Sequence, residues 1–291
     1  MKQKTLLPTV FLWPPMIILA ILALVPTIAA IVMSFQNNEL GRETISFIGF
    51  GNYIELFSDR RFINAMQVSL QWEMVTVIGT MIASILIAIL LFEMTKGRTR
   101  MIISTLFIIP VLLPRVTAAF VWKFMFNPLI GIINYPIKKF TGEPIEFLSK
   151  VDTALLSVAM VDIWQWGLFF SVIILKLLEV MPREPFEAAK IDNAKTWEIY
   201  TYVAIPMLSA PLISLTFIKM VESLRSFDLI YVMTRGGPGV VTETLDMYAF
   251  SQGFVESGRI SYASAMAVLM LLATIITFTI IFKWVGKWQK A

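Results

Sequence analysis

The sequence predicts an all-α membrane protein with six transmembrane helices and both termini on the cytoplasmic side. Three observations carry that expectation. Of 291 residues, 57% are hydrophobic and only 15% are charged, and the mean hydropathy is +0.77, whereas soluble domains carry more charge. The apolar residues gather into six segments, each near the ~20 residues a helix needs to cross the hydrocarbon core. The shortest stretches outside those segments are basic, as cytoplasmic ends and loops are.

The first segment, 11–33, lies in a charge-free run from Thr5 to Asn38. It follows Lys2 and Lys4, so a signal peptide is the alternative. Its apolar stretch exceeds a signal h-region and no convincing small-residue cleavage site follows, so a retained helix is expected. The second segment is 68–92, the third 101–124, the fourth 153–178, the fifth 206–230 and the sixth 260–283. The third, fourth and fifth carry internal charges. The whole chain, 1–291, is read as a single transmembrane domain.

Orientation follows from Lys and Arg. With the N-terminus inside, twelve of them fall on the inner side and nine on the outer side, and the N-terminal tail and the 95–100 loop carry only basic charge. The outer stretches, about 35–67, 125–152 and 233–259, exceed plain turns. Gly49, Gly51, Asn127-Pro128, Gly142, Gly236-Gly237-Pro238 and Gly239 interrupt them, so short helices over the outer mouth are expected. Abundant Met (17) and Phe (22) suit a pliable, lipid-facing bundle. Cys and His are absent, which removes disulfides, thiol catalysis and the commonest transition-metal ligands. No metal site and no nucleic-acid partner is expected, since the net charge of +4 fits basic cytoplasmic loops.

The loop at 182–205 is polar, Ala-rich and longer than a connection requires. Glu184 and Pro185 suit a first helical turn, and Glu187 lies near the positive helix end. Phe186, Lys190, Ala194 and Trp197 recur at helical spacing, and Asp192-Asn193 is a plausible break because Asn tolerates the left-handed conformation. Ala188, Ala189 and Ala194 leave room for a partner backbone. Periodicity alone leaves open a helix resting on the membrane surface and one held by another protein.

Glu187-Ala188-Ala189, Asp192-Asn193-Ala194 and Ile205-Pro206 resemble the "EAA" loop of the membrane subunits of bacterial ATP-driven importers, with Asn193 where that family usually has Gly. A second resemblance is independent. Phe227-Asp228-Leu-Ile-Tyr231-Val-Met-Thr234-Arg-Gly236-Gly237-Pro238, Thr242-Glu-Thr-Leu245, Gly49-Phe-Gly-Asn52-Tyr53 and Phe126-Asn127-Pro128-Leu-Ile-Gly131-Ile-Ile-Asn134 are similar to the carbohydrate ABC importer permease subunits, in the subfamily of the larger maltose-transporter membrane subunit. It covers about 14–283. The resemblance implies the type I importer fold in a bacterial inner membrane, with the 182–205 loop as the helix that docks a cytoplasmic ATPase dimer. It also implies a second permease subunit and an extracytoplasmic solute-binding protein. No Gly-x-x-x-x-Gly-Lys-Ser/Thr phosphate loop is present, so ATP, magnesium and hydrolysis belong to the separate ATPase. This chain is then a transport subunit rather than an enzyme, and it carries no cofactor.

Charges inside the apolar segments are costly and usually face a cavity or a partner. They are Glu73, Arg115, Asp162, Lys219, Glu222, Arg225 and Asp228. At about 1.5 Å per residue, Arg115 and Lys219 lie at roughly 20 Å from the inner ends, and Asp162 and Glu222 at roughly 24 Å. Two readings compete. One is a structural ion-pair network, such as Arg115 with Asp162 or Lys219 with Glu222. The other is a polar ring around a substrate, in which the rings of Trp164 and Trp166 stack on sugars while Asp162 and Gln165 bond hydroxyls. The resemblance places sugar-contacting positions at Asp162, Gln165, Trp166, Lys219 and Glu222. Arg115 and Lys219 suit an acidic solute or are neutralised by Asp162 and Glu222. Import of a glycerol phosphate ester, and an ion-driven transporter, remain alternatives to a sugar or oligosaccharide importer.

Overall fold

The structure, a computed structural model, describes residues 6–41 and 44–288. Lys2, Lys4, Arg42 and Lys290, used above for orientation, lie outside the described residues. The elements run in the order α1 (Leu6–Ser34), β1 (Gln36–Asn37), β2 (Ser46–Phe47), α2 (Gly51–Ser58), α3 (Arg60–Met94), α4 (Gly97–Leu112), α5 (Arg115–Met125), α6 (Asn134–Thr141), α7 (Val151–Val180) and α8 (Glu184–Ile191). Then come α9 (Thr196–Ile199), a π-helical turn (Tyr200–Ala204), α10 (Ile205–Met207), α11 (Ser209–Ser223), α12 (Phe227–Met233), α13 (Leu245–Phe250), a second π-helical turn (Ser251–Val255) and α14 (Ile260–Trp288).

Four of these helices, α1, α3, α7 and α14, are long and apolar enough to cross a membrane. The third and fifth apolar segments are not continuous helices. α4 and α5 meet at 100°, and the helical stretch ending in α10 meets α11 at 76°. The first bend has a local cause. Leu113, ahead of Pro114, is extended at φ −73 and ψ 130, the region to which a following proline pushes its neighbour. At the second, Pro211 has no N–H to offer the Met207 carbonyl one turn back, and the chain breaks at Leu208 (φ −89, ψ 4). Hydropathy is blind to both breaks. The outer stretches do contain the short helices α2, α6 and α13.

The chain divides into two compact units. The first holds residues 6–63 and 248–282. In it β1 pairs antiparallel with β2, Gln36 opposite Phe47. Gly49 takes φ +57 and leads into α2, where the Asn52 amide donates to the Ser34 and Gln36 carbonyls at 2.8 and 2.9 Å and the Tyr53 hydroxyl donates to Ser34 at 2.7 Å. The Gly-Phe-Gly-Asn-Tyr stretch thus builds a turn. Asp59 accepts the hydroxyls of Tyr248 and Tyr262 at 2.5 and 2.7 Å, Arg61 forks onto Glu256 at 2.7 and 2.8 Å, and Arg259 forks onto Glu55.

The second unit, centred on residues 64–247, is organised around α7. Two apolar clusters sit along it. One joins Ala88 and Leu91 of α3 to Phe170, Ile174, Leu175 and Leu178 of α7 and to Tyr200, Ala204, Leu208, Leu212 and Leu215. The other joins Trp72 of α3 to Ala119, Val158, Val161, Leu229, Ile230 and Met247. The Ile163 side chain of α7 packs directly onto Gly79 of α3, where an added Cβ would stand 2.5 Å from Ile163 Cδ1.

Two other motifs carrying the resemblance are also turn builders. Asn127 Oδ1 accepts the N–H groups of Leu129 and Ile130, and a Cβ on Gly131 would lie 2.3 Å from the Met125 carbonyl oxygen. Asn134 donates to the Phe126, Asn127 and Ile145 carbonyls and accepts the Ile145 N–H. Around Gly236-Gly237-Pro238, Arg235 and Gly236 have positive φ, and Thr242 donates to the Gly237 carbonyl at 2.9 Å and meets the Thr234 hydroxyl at 2.7 Å.

Candidate functional site

Between the two apolar clusters lies a polar layer. α3 contributes Glu73, Thr76, Thr80 and Ser84, at successive helical spacings of three and four; α7 contributes Asp162 and Gln165; α11 contributes Lys219 and Ser223. Thr76, Thr80, Ser84, Asp162, Lys219 and Ser223 are fully buried. Burial of unpaired charge is expensive, and here the charges are paired. Asp162 takes the Lys219 ammonium on one carboxylate oxygen at 2.5 Å and the Arg115 guanidinium on the other at 2.7 Å. Arg115 opens α5, directly after the bend at Leu113–Pro114, so the bend places its charge beside α7. Glu73 accepts the Ser223 hydroxyl and lies within electrostatic reach of Lys219.

The layer also satisfies backbone that the broken helices leave bare. In lipid every carbonyl without a partner costs free energy. The Gln165 amide donates to the Pro110 and Leu113 carbonyls at 3.0 and 3.2 Å, closing the end of α4. The Trp72 indole N–H donates to the Ser223 carbonyl at 3.0 Å, and Arg115 donates to the Arg225 carbonyl, so both sides of the α11–α12 break are held.

Of the residues expected to contact substrate, the structure joins Arg115, Asp162 and Lys219 directly. Trp166 stands with its ring centroid 5.9 Å from the Lys219 ammonium, half-buried against Phe169 and Phe170. Gln165 is turned to backbone carbonyls. Trp164 packs edge-to-face on Trp122 at 5.3 Å. The Lys219–Glu222 pair considered from sequence does not form: Lys219 pairs with Asp162, and Glu222 pairs with Arg225 at 3.6 Å. Sequence reasoning marked Glu73 as an intramembrane charge but gave no part to Trp72 or Ser223. Their partners are carbonyls and carboxylates brought in from 150 residues away, and no local pattern signals that.

The 182–205 loop forms a helix, a turn and a second helix. Pro185 occupies the first turn of α8, with Glu184 and Glu187 at its positive end. Asn193 takes φ +57. The Asn193 N–H reaches the Lys190 carbonyl at 3.1 Å and the Ala194 N–H the Ala189 carbonyl at 3.0 Å, the paired bonds of a helix C-terminus closed by one left-handed residue. The Glu198 carboxylate accepts the Lys195 N–H and starts α9. The spacing Glu187-Ala188-Ala189 to Asp192-Asn193-Ala194 thus fits one helical turn and its stop. Glu187, Ala188, Asp192 and Asn193 are exposed, as are Ile191 at 80% and Trp197 at 57%. A cavity of about 700 Å³ lies beneath the loop, lined by residues that include Glu93, Arg100, Glu187 and Tyr200. No group of three or more metal-ligating side chains is found among the described residues.

Residues 84–290 match the model of the family described as binding-protein-dependent transport system inner membrane component. A trehalose/maltose transport system permease protein of Thermococcus litoralis is 26% identical, covering 95% of this chain and 92% of its own length. An sn-glycerol-3-phosphate transport system permease protein of Agrobacterium fabrum is 25% identical, covering 94% and 92%. Among solved structures, a bacterial alginate ABC transporter in complex with an alginate pentasaccharide-bound periplasmic protein superposes with a TM-score of 0.81 at 19% identity, over 94% of this chain and 92% of the other.

Proposed function

Because the chain belongs to the family of binding-protein-dependent transport system inner membrane components, and is a permease subunit of an ABC importer, we propose that it carries a neutral saccharide through a multi-pass inner-membrane pathway. The observation that supports this most is the 184–199 loop. Its helix–turn–helix backbone is fixed by internal hydrogen bonds, yet Ile191 and Trp197 stand exposed beside Glu187 and Ala188. A rigid element with bare apolar side chains suits a groove on a partner.

In this reading an ATPase dimer grips Glu187, Ala188, Ala189, Asp192, Asn193 and Ala194. ATP and magnesium are bound and used there. ATP-driven closure of the dimer moves the loop, and the helices attached to it tilt to open the pathway outward. A solute-binding protein delivers its cargo on that side. A second permease subunit completes a pathway of which six spans, counting each bent pair as one, supply half.

The choice of a neutral solute rests on Asp162. It engages both Lys219 and Arg115, Glu73 is a second carboxyl in the same layer, and Arg225 is paired with Glu222. Neither Lys219 nor Arg115 is left without a carboxylate partner, free to hold a phosphate ester or an acidic sugar. Trp166, beside Lys219, offers a ring face suited to a sugar. The likeness to an alginate transporter concerns the fold and carries no weight on the solute. An ion-driven carrier has no use for the exposed loop.

The test is uptake into proteoliposomes holding the assembled complex and its binding protein. A neutral di- or trisaccharide accumulates only with ATP, while a uronic-acid oligomer and glycerol phosphate do not. ATP-dependent uptake of an anionic solute and none of neutral sugars would overturn the neutral assignment.

A further inference from the structure

The cytoplasmic ends of three helices are fastened into one piece by Arg100. Its guanidinium donates to the Phe92 carbonyl at 2.5 Å and to the Thr95 carbonyl, which the end of α3 leaves without helical partners. It also donates to the Glu179 carboxylate of α7 at 2.9 Å and stacks over the Phe92 ring. Arg100 lies in the first turn of α4, so α3, α4 and α7 share one clasp. Lys176 adds a second bond to Glu179 at 2.8 Å.

Among the described residues, one side-chain hydrogen bond joins the loop to this clasped end. The Tyr200 hydroxyl donates to Glu93 Oε1 at 2.5 Å, the length of a charge-assisted O–H···O bond. Glu93 is the penultimate residue of α3. Tyr200 follows α9 and opens the π-helical turn 200–204, a distortion that recurs at functional sites. The Tyr200 ring is buried in the apolar cluster with Leu178 and Leu208. A hydroxyl placed there needs an acceptor, and α3 supplies it; both residues line the cavity.

We propose that the Tyr200–Glu93 hydrogen bond is the positioning contact through which displacement of the docking loop is passed to α3 and, through Arg100, to α4 and α7. The proposal rests on the ATPase-docking reading above. Apolar packing lets the loop slide; a short hydrogen bond to a carboxylate fixes both its distance and its direction, so the loop and α3 move together. Tyr200 and Glu93 are positioning residues that touch neither solute nor nucleotide.

The experiment compares Tyr200→Phe, Glu93→Leu and Glu93→Gln in the complete complex, measuring solute moved per ATP hydrolysed, ATPase rate, subunit recovery and thermal midpoint. Tyr200→Phe keeps the ring and loses the hydroxyl. It should lower solute moved per ATP by about five-fold or more, the usual scale of coupling between sites, while the ATPase still copurifies and hydrolyses ATP. Glu93→Leu should behave the same way. Glu93→Gln retains an acceptor oxygen and should keep most of the coupling. Wild-type coupling in Tyr200→Phe would overturn the proposal. So would loss of subunits or of the thermal midpoint in that variant, which marks plain packing, or a Glu93→Gln defect as deep as Glu93→Leu. Failure of the underlying reading is seen separately, in a wild-type complex that contains no ATPase.

Discussion

Lys219 holds its ammonium 2.5 Å from the Asp162 carboxylate, and neither side chain has any exposure. Since Asp162 also binds Arg115, one carboxylate carries two cations, Lys219 buried and Arg115 half-buried. Removing it leaves both unpaired, whereas removing Lys219 leaves Asp162 still bonded to Arg115. Breaking a buried pair from one side costs about 3–5 kcal/mol. Asp162→Asn should therefore lower the thermal midpoint and the yield of the complex well beyond Lys219→Met. Equal losses in the two variants would show that Asp162 is not the shared hub.

Asn193 is the one left-handed residue of the loop, and a β-branched side chain there pays the full steric cost of that conformation. Asn193→Gly should leave the loop intact. Asn193→Val should destabilise it by about 1–2 kcal/mol, measured as faster amide exchange over residues 184–199. An unchanged exchange profile in the valine variant would show that the turn does not depend on positive φ.

Gly131 has no room for a methyl group, because a Cβ would fall 2.3 Å from the Met125 carbonyl oxygen and 2.4 Å from that of Asn127. Gly131→Ala should open the 126–134 turn, break the Asn134 bonds to Phe126 and Asn127, and cut expression of folded protein. A variant with wild-type melting and proteolysis would contradict this geometry.

Two carboxyls of the first unit sit below their ordinary range. Burial pulls Asp59 upward, but hydrogen bonds from Tyr248, Tyr262 and the Arg61 and Phe62 backbones outweigh it and hold it low. The Arg61 fork is the main cause that lowers Glu256, against a smaller effect of burial. Depressed carboxyls contribute stability that is present above their unfolded pKa of about 4 and lost as pH falls through the lower folded values. Exchange protection of 51–59 and 248–256 should be level from about pH 7 to 5 and fall below about pH 4. Protection that rises on acidification would reverse the sign.

Much of this was legible in the sequence where the cause is local. Asn193 announces a left-handed stop three residues after Ala-Ala-Lys, and Pro185 announces the start of α8. The interrupted outer stretches do contain short helices. The spans expected at 101–124 and 206–230 are not continuous helices: Leu113 and Leu208 are as apolar as their neighbours and the bends there come from Pro114 and Pro211, while 206–230 is interrupted again between Ser223 and Phe227. The charges at Arg115, Asp162 and Lys219 were visible, and so was the Arg115–Asp162 pairing. That Lys219 shares Asp162 and leaves Glu222 to Arg225 depends on how α7 sits against α11. The duty of Gln165 was hidden for the same reason: from sequence it looks like a sugar ligand, and in the fold it satisfies carbonyls exposed by the α4–α5 bend.

The most direct test of the central claim is affinity recovery of the tagged chain from its native membrane, with mass identification of what accompanies it, for the wild type and for Glu187→Lys. The expected result is an ATP-binding cassette ATPase and a second permease subunit with the wild type, and loss of the ATPase alone with the variant. A wild-type chain recovered intact without any ATPase would contradict the assignment to an ATP-driven importer, and an ATPase retained by Glu187→Lys would contradict docking through the 184–199 loop.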